Sequence, residues 1–447
     1  MTTPPKDWKE MTAEAKREAR YASWATTDHI EFVSDDAKQA YEDRQNRMAT
    51  AYSLQQPDRV PVMTNVGFYP AAWAGLTPYD AMYNHDEALQ AWVDYNKHFL
   101  PDAIVSPIRA ALPGKAFERL EYHLYHWPGH GTPKESSFQY NEGEYMLPEE
   151  YDHLIDDPSD YFWRVYLPRI SGAFEGFSQL SHPFDLVEMP FSTLNFRPWA
   201  SPDVATSFHK LQAVGDEASA WARKTFPVVD QLLAEGFPPY RSGASKAPFD
   251  FIGDSLRGTR GILLDLYRQP EKLKEACDKL ADVIVRWTVG HTDTSTPPLI
   301  FIPLHKGAEG FMSQAQFDTY YWPSLKKVIL GLIDEGFTPF LFAEGRYTSR
   351  LEAVADLPKG KTVWLFDQTD MIQAKKTIGK VACIQGNVPL SLIHAGTTKA
   401  VTEYSKKLID DCAEGGGFVL DVGAVVDSAK PENMEAMIET AKEYGVY

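Results

Sequence analysis

The sequence predicts an α/β fold, and two observations support this. Between residues 299 and 425, short apolar runs each end in polar or glycine residues, and helix-like stretches such as 322–333 separate them. Near-continuous apolar runs suit strands buried on both faces, as in a parallel sheet covered by helices. Repeated strand–helix alternation predicts βα units. The five predicted strands are 299–305, 340–345, 363–367, 381–387 and 418–423.

The N-terminal half supplies the remaining predicted elements. Residues 1–50 are rich in charged residues and helix formers, so we predict a helical extension there, followed by one main domain over 51–447. A Pro-Asp-Arg-Val-Pro turn at 57–61 is typical of the entry into a strand. The second and third strands are predicted at 102–106 and 248–253, and helices at 79–99 and over much of 150–235.

An insertion interrupts this pattern at about 115–150. Aromatic and polar residues alternate there around glycines, which predicts a β-hairpin near the end of the sheet where the strands finish. Its histidines, His123, His126 and His130, suggest a metal site, but alternation puts the first two on opposite faces of a strand. Lid residues that are solvated or that contact a bound small molecule are the preferred interpretation.

Composition and charge exclude several classes of protein. The net charge of −18 argues against nucleic-acid binding, which needs clustered Lys and Arg. Three widely spaced cysteines rule out a cysteine zinc finger or iron–sulfur site by spacing, and they fit a reducing compartment. Residues 1–20 lack an apolar signal region, and no apolar run reaches 18 residues. We therefore expect a cytoplasmic protein without a membrane span.

Polar side chains follow the predicted strands at their carboxyl ends. In a parallel barrel these ends meet at one mouth, where catalytic residues collect. The sequence therefore predicts that five side chains share one space: His305, Glu344, Asp367, Gln385 and Asp421.

Several motifs resemble a known family. They are Asp58-Arg59-Val60-Pro61-Val62 and the segments 75–81, 99–103, 386–389, 395–398 and 431–437. In this order they resemble the uroporphyrinogen decarboxylase superfamily, which includes the decarboxylase and cobalamin-dependent methyltransferases. The resemblance implies a (β/α)8 TIM barrel, here with an N-terminal helical extension and a β-hairpin insertion near the barrel mouth.

Departures from the decarboxylase pattern disfavour that activity. Thr64 and Phe68 stand where the decarboxylases carry two arginines that bind substrate carboxylates, and Pro107 stands in place of their essential aspartate. A porphyrinogen with many carboxylates needs cationic partners in a partly dry pocket. A decarboxylase acting on another carboxylated small molecule is the alternative function.

The methyltransferase branch gives the better resemblance. Members that deliver methyl groups to coenzyme M bind zinc through a His-x-Cys pair and a later cysteine, and Phe342, Glu344 and Ala424 stand at those positions. Without these zinc-binding residues, the sequence resembles members of the superfamily that pass a methyl group from a methoxylated donor to the cobalt of a corrinoid protein (O-demethylation). The resemblance implies a corrinoid-binding partner that carries cobalamin, and the aromatic content favours an aromatic donor.

Ether methyl transfer requires orientation of the donor and stabilisation of charge on the departing oxygen. We predict His305, Glu344 and Asp367 as catalytic residues, since an acid or a metal could act on that oxygen. His305, Glu344 and Asp421 are the predicted ligands of zinc or a harder divalent ion. The alternatives are that His305 is a structural imidazole, that Glu344 forms a surface ion pair, that Asp367 caps a helix and that Asp421 is a turn residue.

Seven residues are predicted to bind the donor: Asn65, Phe68, Tyr69, Trp127, Arg257, Gln385 and Asn387. An ion pair is the alternative for the arginine, and core packing is the alternative for the aromatic residues. A non-enzymatic corrinoid or tetrapyrrole carrier is a third functional class, although the chain lacks the Asp-x-His-x-x-Gly fingerprint expected of one. The sequence leaves the oligomeric state open, a homodimer included.

Overall fold

The computed structural model describes residues 8–292 and 297–447, so the first seven residues of the predicted helical extension lie outside it. The strands of the described residues are β1 (Tyr125–Pro128), β2 (Gly131–Thr132), β3 (Gln139–Tyr140), β4 (Arg241–Ala244), β5 (Leu299–Leu304), β6 (Thr338–Ala343), β7 (Val363–Phe366), β8 (Cys383–Gln385) and β9 (Phe418–Val419).

The helices connect and cover these strands. They are α1 (Ala13–Ala25), α2 (Asp35–Tyr52), α3 (Tyr69–Trp73), α4 (Pro78–Tyr83), α5 (His85–Phe99), α6 (Gly114–Leu120), α7 (Tyr151–Asp156), α8 (Pro158–Tyr161), α9 (Leu167–Ile170), α10 (Met189–Ser192), α11 (Pro202–Ala234), α12 (Pro248–Asp250), α13 (Gly258–Arg268), α14 (Pro270–Gly290), α15 (Gln314–Gln316), α16 (Trp322–Asp334), α17 (Leu351–Val354), α18 (Met371–Thr377), α19 (Leu390–Ala395), α20 (Thr398–Cys412) and α21 (Pro431–Glu443). No helix among the described residues has the length and apolarity needed to cross a lipid bilayer.

The central layer is a six-stranded sheet in the order β4-β5-β6-β7-β8-β9, and every neighbouring pair is parallel. Chain order and spatial order agree because a helical crossover separates each strand from the next. Strands β6, β7 and β8 are entirely buried, as continuous apolar runs predict, whereas β4 is only partly buried. This confirms the α/β class and the five strands predicted after residue 298.

Two N-terminal segments lie between the edges of this sheet. Leu420 N donates to Pro61 O and Met63 N to Leu420 O, both at 2.9 Å. Asp102 N then donates to Val62 O at 3.0 Å, and Ile104 N to Pro238 O at 2.9 Å. Each segment forms isolated backbone bonds and not a full strand, so the structure shows a TIM-barrel-like sheet of six strands with two bridging segments.

The third strand predicted at 248–253 is wrong. The strand at this place in the sheet is β4, while Pro248 begins α12 and the chain continues as a π-helical turn, Phe251–Leu256. Proline is favoured at the first helical position because its fixed φ suits a helix and its missing N–H costs nothing there. The apolar run was too short to distinguish a strand from a buried helical turn.

The N-terminal helices cover the amino ends of the strands. Trp24 of α1 packs with Leu299 and Phe340 in one buried cluster, and its Nε1 donates to Pro239 O at 2.9 Å. The Arg17 guanidinium donates to the hydroxyl of Thr338, the first residue of β6. With one end of the sheet covered in this way, the carboxyl ends of the strands are left for a site.

The insertion contains the predicted hairpin. Tyr125 pairs with Tyr140 and His126 with Gln139 in an antiparallel β1–β3 ladder, and β2 lies on the other side of β1. The start of the predicted insertion is not strand but helix α6.

Candidate functional site

A buried carboxylate fixes the turn that carries His305. Strand β5 ends at Leu304, and the next two backbone amides both donate to Asp250: His305 N to Oδ2 at 3.0 Å and Lys306 N to Oδ1 at 2.8 Å. The Tyr321 hydroxyl donates to Oδ2 at 2.7 Å. Asp250 is fully buried, and both its burial and the charge on Asp254 raise its pKa. Three donors satisfy this carboxylate and hold the turn against α12.

Asp254 lies one helical turn further on and binds the His305 side chain. His305 Nδ1 donates to Asp254 Oδ2 at 2.5 Å, and Lys306 Nζ donates to Oδ1 at 2.6 Å. Burial alone would raise the pKa of Asp254, but the bond from His305 and the charges of His305 and Lys306 outweigh it and lower this pKa. Asp254 is therefore an ionised carboxylate that orients the imidazole.

Glu344 faces the other nitrogen of His305. It follows β6 directly, and the register pairs Leu304 with Ala343, so the two side chains lie at neighbouring strand ends. His305 Nε2 is 3.5 Å from Glu344 Oε1. Burial alone would lower the pKa of His305, but hydrogen bonds to Asp254 and Glu344 and the nearby negative charges raise it to about 10. The imidazole is thus held as a cation at neutral pH.

This imidazolium is accessible from outside. The His305 side chain is 34% exposed and that of Glu344 is 44% exposed, so Nε2 can reach a bound molecule as well as the carboxylate. The predicted meeting of these two residues at the carboxyl ends of adjacent strands agrees with the geometry. Their chemical roles remain predictions.

The hairpin insertion supplies aromatic side chains to the same place. Burial raises the pKa of Tyr125, and the charges of Asp254 and Glu344 raise it further. Burial and the Asp254 charge likewise raise the pKa of Tyr140, whose ring lies 5.4 Å from that of Tyr125 in an edge-to-face arrangement. Two tyrosines from the β1–β3 ladder therefore lie within electrostatic range of the acidic residues beside His305.

Asp367 lies on the next strand end and acts on the backbone. Its Oδ2 accepts from Gly345 N at 3.0 Å, which fixes the residue after Glu344. Burial raises the pKa of Asp367, and the charge of Glu344 adds to the effect. Asn387 Nδ2 donates to Asp367 O and Thr369 O, both at 2.9 Å. Asp367 and Asn387 both line a groove of about 1060 Å³ beside the strand ends, whose lining is part polar and part apolar.

Asp421 belongs to a separate buried network. Its Oδ1 accepts from Asn65 N at 2.9 Å and Val422 N at 2.7 Å, and its Oδ2 accepts from Gln385 Nε2 at 2.7 Å. Burial raises the pKa of Asp421 to about 7 despite these bonds. One of the two polar atoms of the Gln385 side chain, Nε2, is therefore occupied by its hydrogen bond to Asp421.

The predicted metal ligands do not form a cluster. Both oxygens of Asp421 accept hydrogen bonds elsewhere, and both ring nitrogens of His305 face carboxylates. Over residues 8–292 and 297–447, no group of three or more His, Cys, Asp or Glu side chains is arranged to hold a metal ion. The residues present therefore do not fit the zinc site proposed for His305, Glu344 and Asp421.

Arg257 is not a donor-binding residue. Only 2% of its side chain is exposed, its Nε donates to Asp265 Oδ2 at 2.6 Å, and its Nη1 donates to Met146 O. Arg257 lies directly before α13 and Asp265 lies within it, and both side chains are buried. The arginine predicted to hold a donor carboxylate is instead one half of a structural ion pair.

The three predicted aromatic residues are also structural. Tyr69 is buried and packs against Tyr95 and Phe99, with centroids 5.8 and 6.3 Å away. Phe68 is buried with its ring 5.5 Å from that of Phe138. Trp127 is buried as well, and its Nε1 donates to Tyr83 OH at 3.1 Å. Large aromatic rings fill cores more often than pockets, and the sequence did not distinguish the two.

Sequence reasoning missed Asp250, Asp254 and Lys306. The two aspartates stand four residues apart, which places them on one face of a helix. Because residues 248–253 were predicted as a strand, this i, i+4 relation was not considered. A proline at the start of an Asp-x-x-x-Asp stretch was the available signal.

Comparison with known proteins confirms the predicted superfamily. Residues 241–444 match the family model described as Uroporphyrinogen decarboxylase (URO-D), and this range includes every strand of the parallel sheet. The chain is 24% identical over 247 residues to uroporphyrinogen decarboxylase from Methylococcus capsulatus, covering 54% of this chain and 69% of that protein. It is 24% identical over 200 residues to the same enzyme from Mannheimia succiniciproducens, covering 43% and 54%. The chain thus spans about half to two thirds of the length of these relatives.

One solved structure shares the fold over nearly its full length. It is a methyltransferase from Methanosarcina mazei, matched with a TM-score of 0.55 and 13% identity over 91% of this chain and 98% of that one. At this identity the likeness concerns the fold.

Proposed function

We propose that this protein is a methyltransferase that moves a methyl group from a methoxylated small molecule to the cobalt of a partner corrinoid protein. The observation that carries the proposal is the His305 imidazolium, held between Asp254 and Glu344 at the strand ends with a pKa of about 10. The structural neighbour named a methyltransferase and the URO-D family match support this branch of the superfamily.

The acidity of His305 suits an aryl methyl ether. When the O–CH3 bond breaks, its electron pair stays on the oxygen and the donor leaves as a phenolate, whose conjugate acid has a pKa of about 10. A positioned acid that protonates the departing oxygen as the O–CH3 bond breaks accelerates the transfer. His305 would donate its Nε2 proton to that oxygen, and the products would be a phenol and the methylated acceptor.

The neighbouring residues have supporting roles in this proposal. Asp254 fixes the Nδ1 side of the ring and stabilises the cation. The ether oxygen of the donor would replace Glu344 as the partner of Nε2. Tyr125 and Tyr140 would provide an aromatic wall for the donor ring. Asp367 is a positioning residue in this scheme because it binds the backbone beside Glu344.

The acceptor would approach across the open side of the site. A corrinoid protein would supply a cobalt nucleophile for the methyl group, which this chain does not provide. The groove of about 1060 Å³ beside Asp367 and Asn387 adjoins the strand ends, so we infer that the corrinoid lies over it. A homodimer and a cytoplasmic location remain predictions.

Methyl transfer to reduced free cob(I)alamin tests the proposal. The protein is incubated with a panel of methoxylated arenes, and formation of methylcobalamin is followed by absorbance. We expect His305→Ala and Glu344→Gln to lower the rate by about 10²-fold, the scale of a positioned acid. His209→Ala, an exposed histidine on α11, is the matched control and should behave as the wild type. Wild-type rates in both site variants would contradict the assignment.

The decarboxylase alternative is favoured by one finding, the named activity of the sequence relatives. An imidazolium could also protonate the carbanion that remains after carbon dioxide leaves. This alternative predicts carbon dioxide release from a carboxylated substrate without any corrinoid, and the same variants would lower that release.

A further inference from the structure

A second cavity lies against β4 and the middle of β5. It has a volume of about 660 Å³, and Arg109, Arg241, Tyr240 and Phe301 line it. Phe301, Pro303 and His305 alternate along β5 on its less buried face, so the cavity and the imidazole share one side of the same strand. We call Arg109, Arg241, Tyr240, Phe301, Ser242 and Asn65 the arginine pocket.

Both arginines in this pocket lack a counterion. Neither guanidinium hydrogen-bonds to or forms an ion pair with any described residue, and the buried Nε of Arg241 has no acceptor. Their contacts are with ring faces: the Arg241 Cζ is 4.3 Å from the Phe301 centroid, and the Arg109 Cζ is 5.7 Å from it. Burial lowers the pKa of Arg109, yet the side chain stays accessible, as expected for one that lines a cavity.

This is unusual in so acidic a chain. Asp and Glu outnumber Lys and Arg by 62 to 44, and Arg17 and Arg257, described above, bind protein oxygens. Arg109 is exposed and Arg241 is half-buried, so each can reach an anion that enters the cavity. The two arginines thus place positive charge on the wall of the cavity, and no described carboxylate neutralises it.

Two further donors in the pocket are also unused. Ser242 Oγ and Asn65 Nδ2 are buried and have no hydrogen-bond partner. Two guanidinium groups, a hydroxyl and an amide N–H2 therefore line one cavity together. A carboxylate offers several lone pairs to such a set, and arginine binds it through paired N–H donors.

We propose that the methyl donor carries a carboxylate, which Arg109 and Arg241 bind in the arginine pocket. This inference rests on the proposed function and names its substrate class: a methoxylated aromatic acid. Four residues separate Phe301 from His305, about 13 Å along a strand. In this proposal the carboxylate lies at the arginines and the ether oxygen at His305, with the aromatic ring between them.

Calorimetric titration with matched ligands tests the inference without any corrinoid. The probes are the three isomeric methoxybenzoates and the corresponding methoxybenzamides, which keep the shape and remove the charge. We expect the wild type to bind the best acid at least 10-fold tighter than its amide. Arg109→Gln or Arg241→Gln should raise the Kd for that acid by about 10- to 100-fold and leave the Kd for the amide unchanged. Arg223→Gln, an exposed arginine on α11, is the matched control.

Equal affinity for acid and amide in the wild type would overturn the inference, and this comparison needs no variant. A preference for the acid that persists in the double variant Arg109→Gln/Arg241→Gln would overturn it as well. If a glutamine variant loses amide binding too, Arg109→Lys and Arg241→Lys replace it, and these should keep part of the preference for the acid. Acid binding without methyl transfer would instead refute the proposed function, whereas equal transfer from charged and neutral ethers would refute only this inference.

Discussion

Replacing Asp254 with Asn should move the alkaline limit of activity by several pH units. The substitution keeps the shape of the side chain but removes the negative charge that accepts from His305 Nδ1 at 2.5 Å. It also leaves Lys306, which donates to Asp254 at 2.6 Å, as an uncompensated cation beside the imidazole. Both changes disfavour the protonated ring.

The size of the effect follows from the geometry. Two unit charges with centres about 4 Å apart interact by about 4 kcal/mol at an effective dielectric constant of about 20. Since about 1.4 kcal/mol corresponds to one pH unit, loss of the Asp254 charge should lower the pKa of His305 by about three units. The value of about 10 in the wild type would fall to near 7.

The rate of methyl transfer at different pH values measures this shift. If His305 must be protonated, wild-type activity persists to about pH 10, whereas the variant should lose activity as the pH rises through about 7. At pH 8.5 only about 3% of the variant would carry the proton, against nearly all of the wild type. At pH 6 the two rates should approach each other, since both rings are charged.

Asp356→Asn is the matched control because it removes a charge from an exposed aspartate that pairs only with Lys326. It should keep the alkaline limit of the wild type. If the activity of the wild type and that of Asp254→Asn fell over the same alkaline pH range, the view that the carboxylate holds the imidazole as a cation would be refuted.

Two stability predictions follow from the buried groups. Arg257→Gln should lower the free energy of unfolding in urea by about 3 to 5 kcal/mol, because it leaves the buried Asp265 carboxylate without its cationic partner; a loss of activity without a loss of stability would instead place Arg257 in the site. Asp421→Asn should gain stability relative to the wild type as the pH rises from about 4 to about 7, and the gain should level off above that. The folded-state pKa of Asp421 is raised to about 7 from an ordinary 3.8, so the wild type loses stability as this carboxyl ionises. A difference in unfolding free energy that is the same at pH 5 and pH 8 would contradict the second prediction.

The sheet could be predicted from sequence because its physical cause is local. Each strand after residue 298 is an apolar run bounded by polar residues, and parallel neighbours then bring consecutive strand ends together. The proximity of His305 and Glu344 followed from that rule alone. The two N-terminal segments were located correctly, but sequence could not show that each would make only isolated backbone bonds.

The roles of the other predicted site residues depended on information that a single sequence lacks. Whether Phe68, Tyr69 and Trp127 fill the core or face a ligand depends on which elements pack over them. Arg257 is fixed by Asp265, eight residues away, and only helix α13 between them brings the two together. The helical turns before it hide Asp250 and Asp254, since an apolar run of six residues fits a buried helix as well as a strand.

The tie between Asp250 and the turn after β5 has a consequence for redesign. His305, the proposed proton donor, is anchored to scaffold elements at 248–254 and 299–306, whereas the proposed aromatic wall comes from a separate hairpin at 125–140. In the proposed function, reaction and selectivity therefore depend on different stretches of polypeptide. Exchange of the hairpin should alter which ethers are accepted while leaving the acid intact, so libraries aimed at new donors are best confined to that loop.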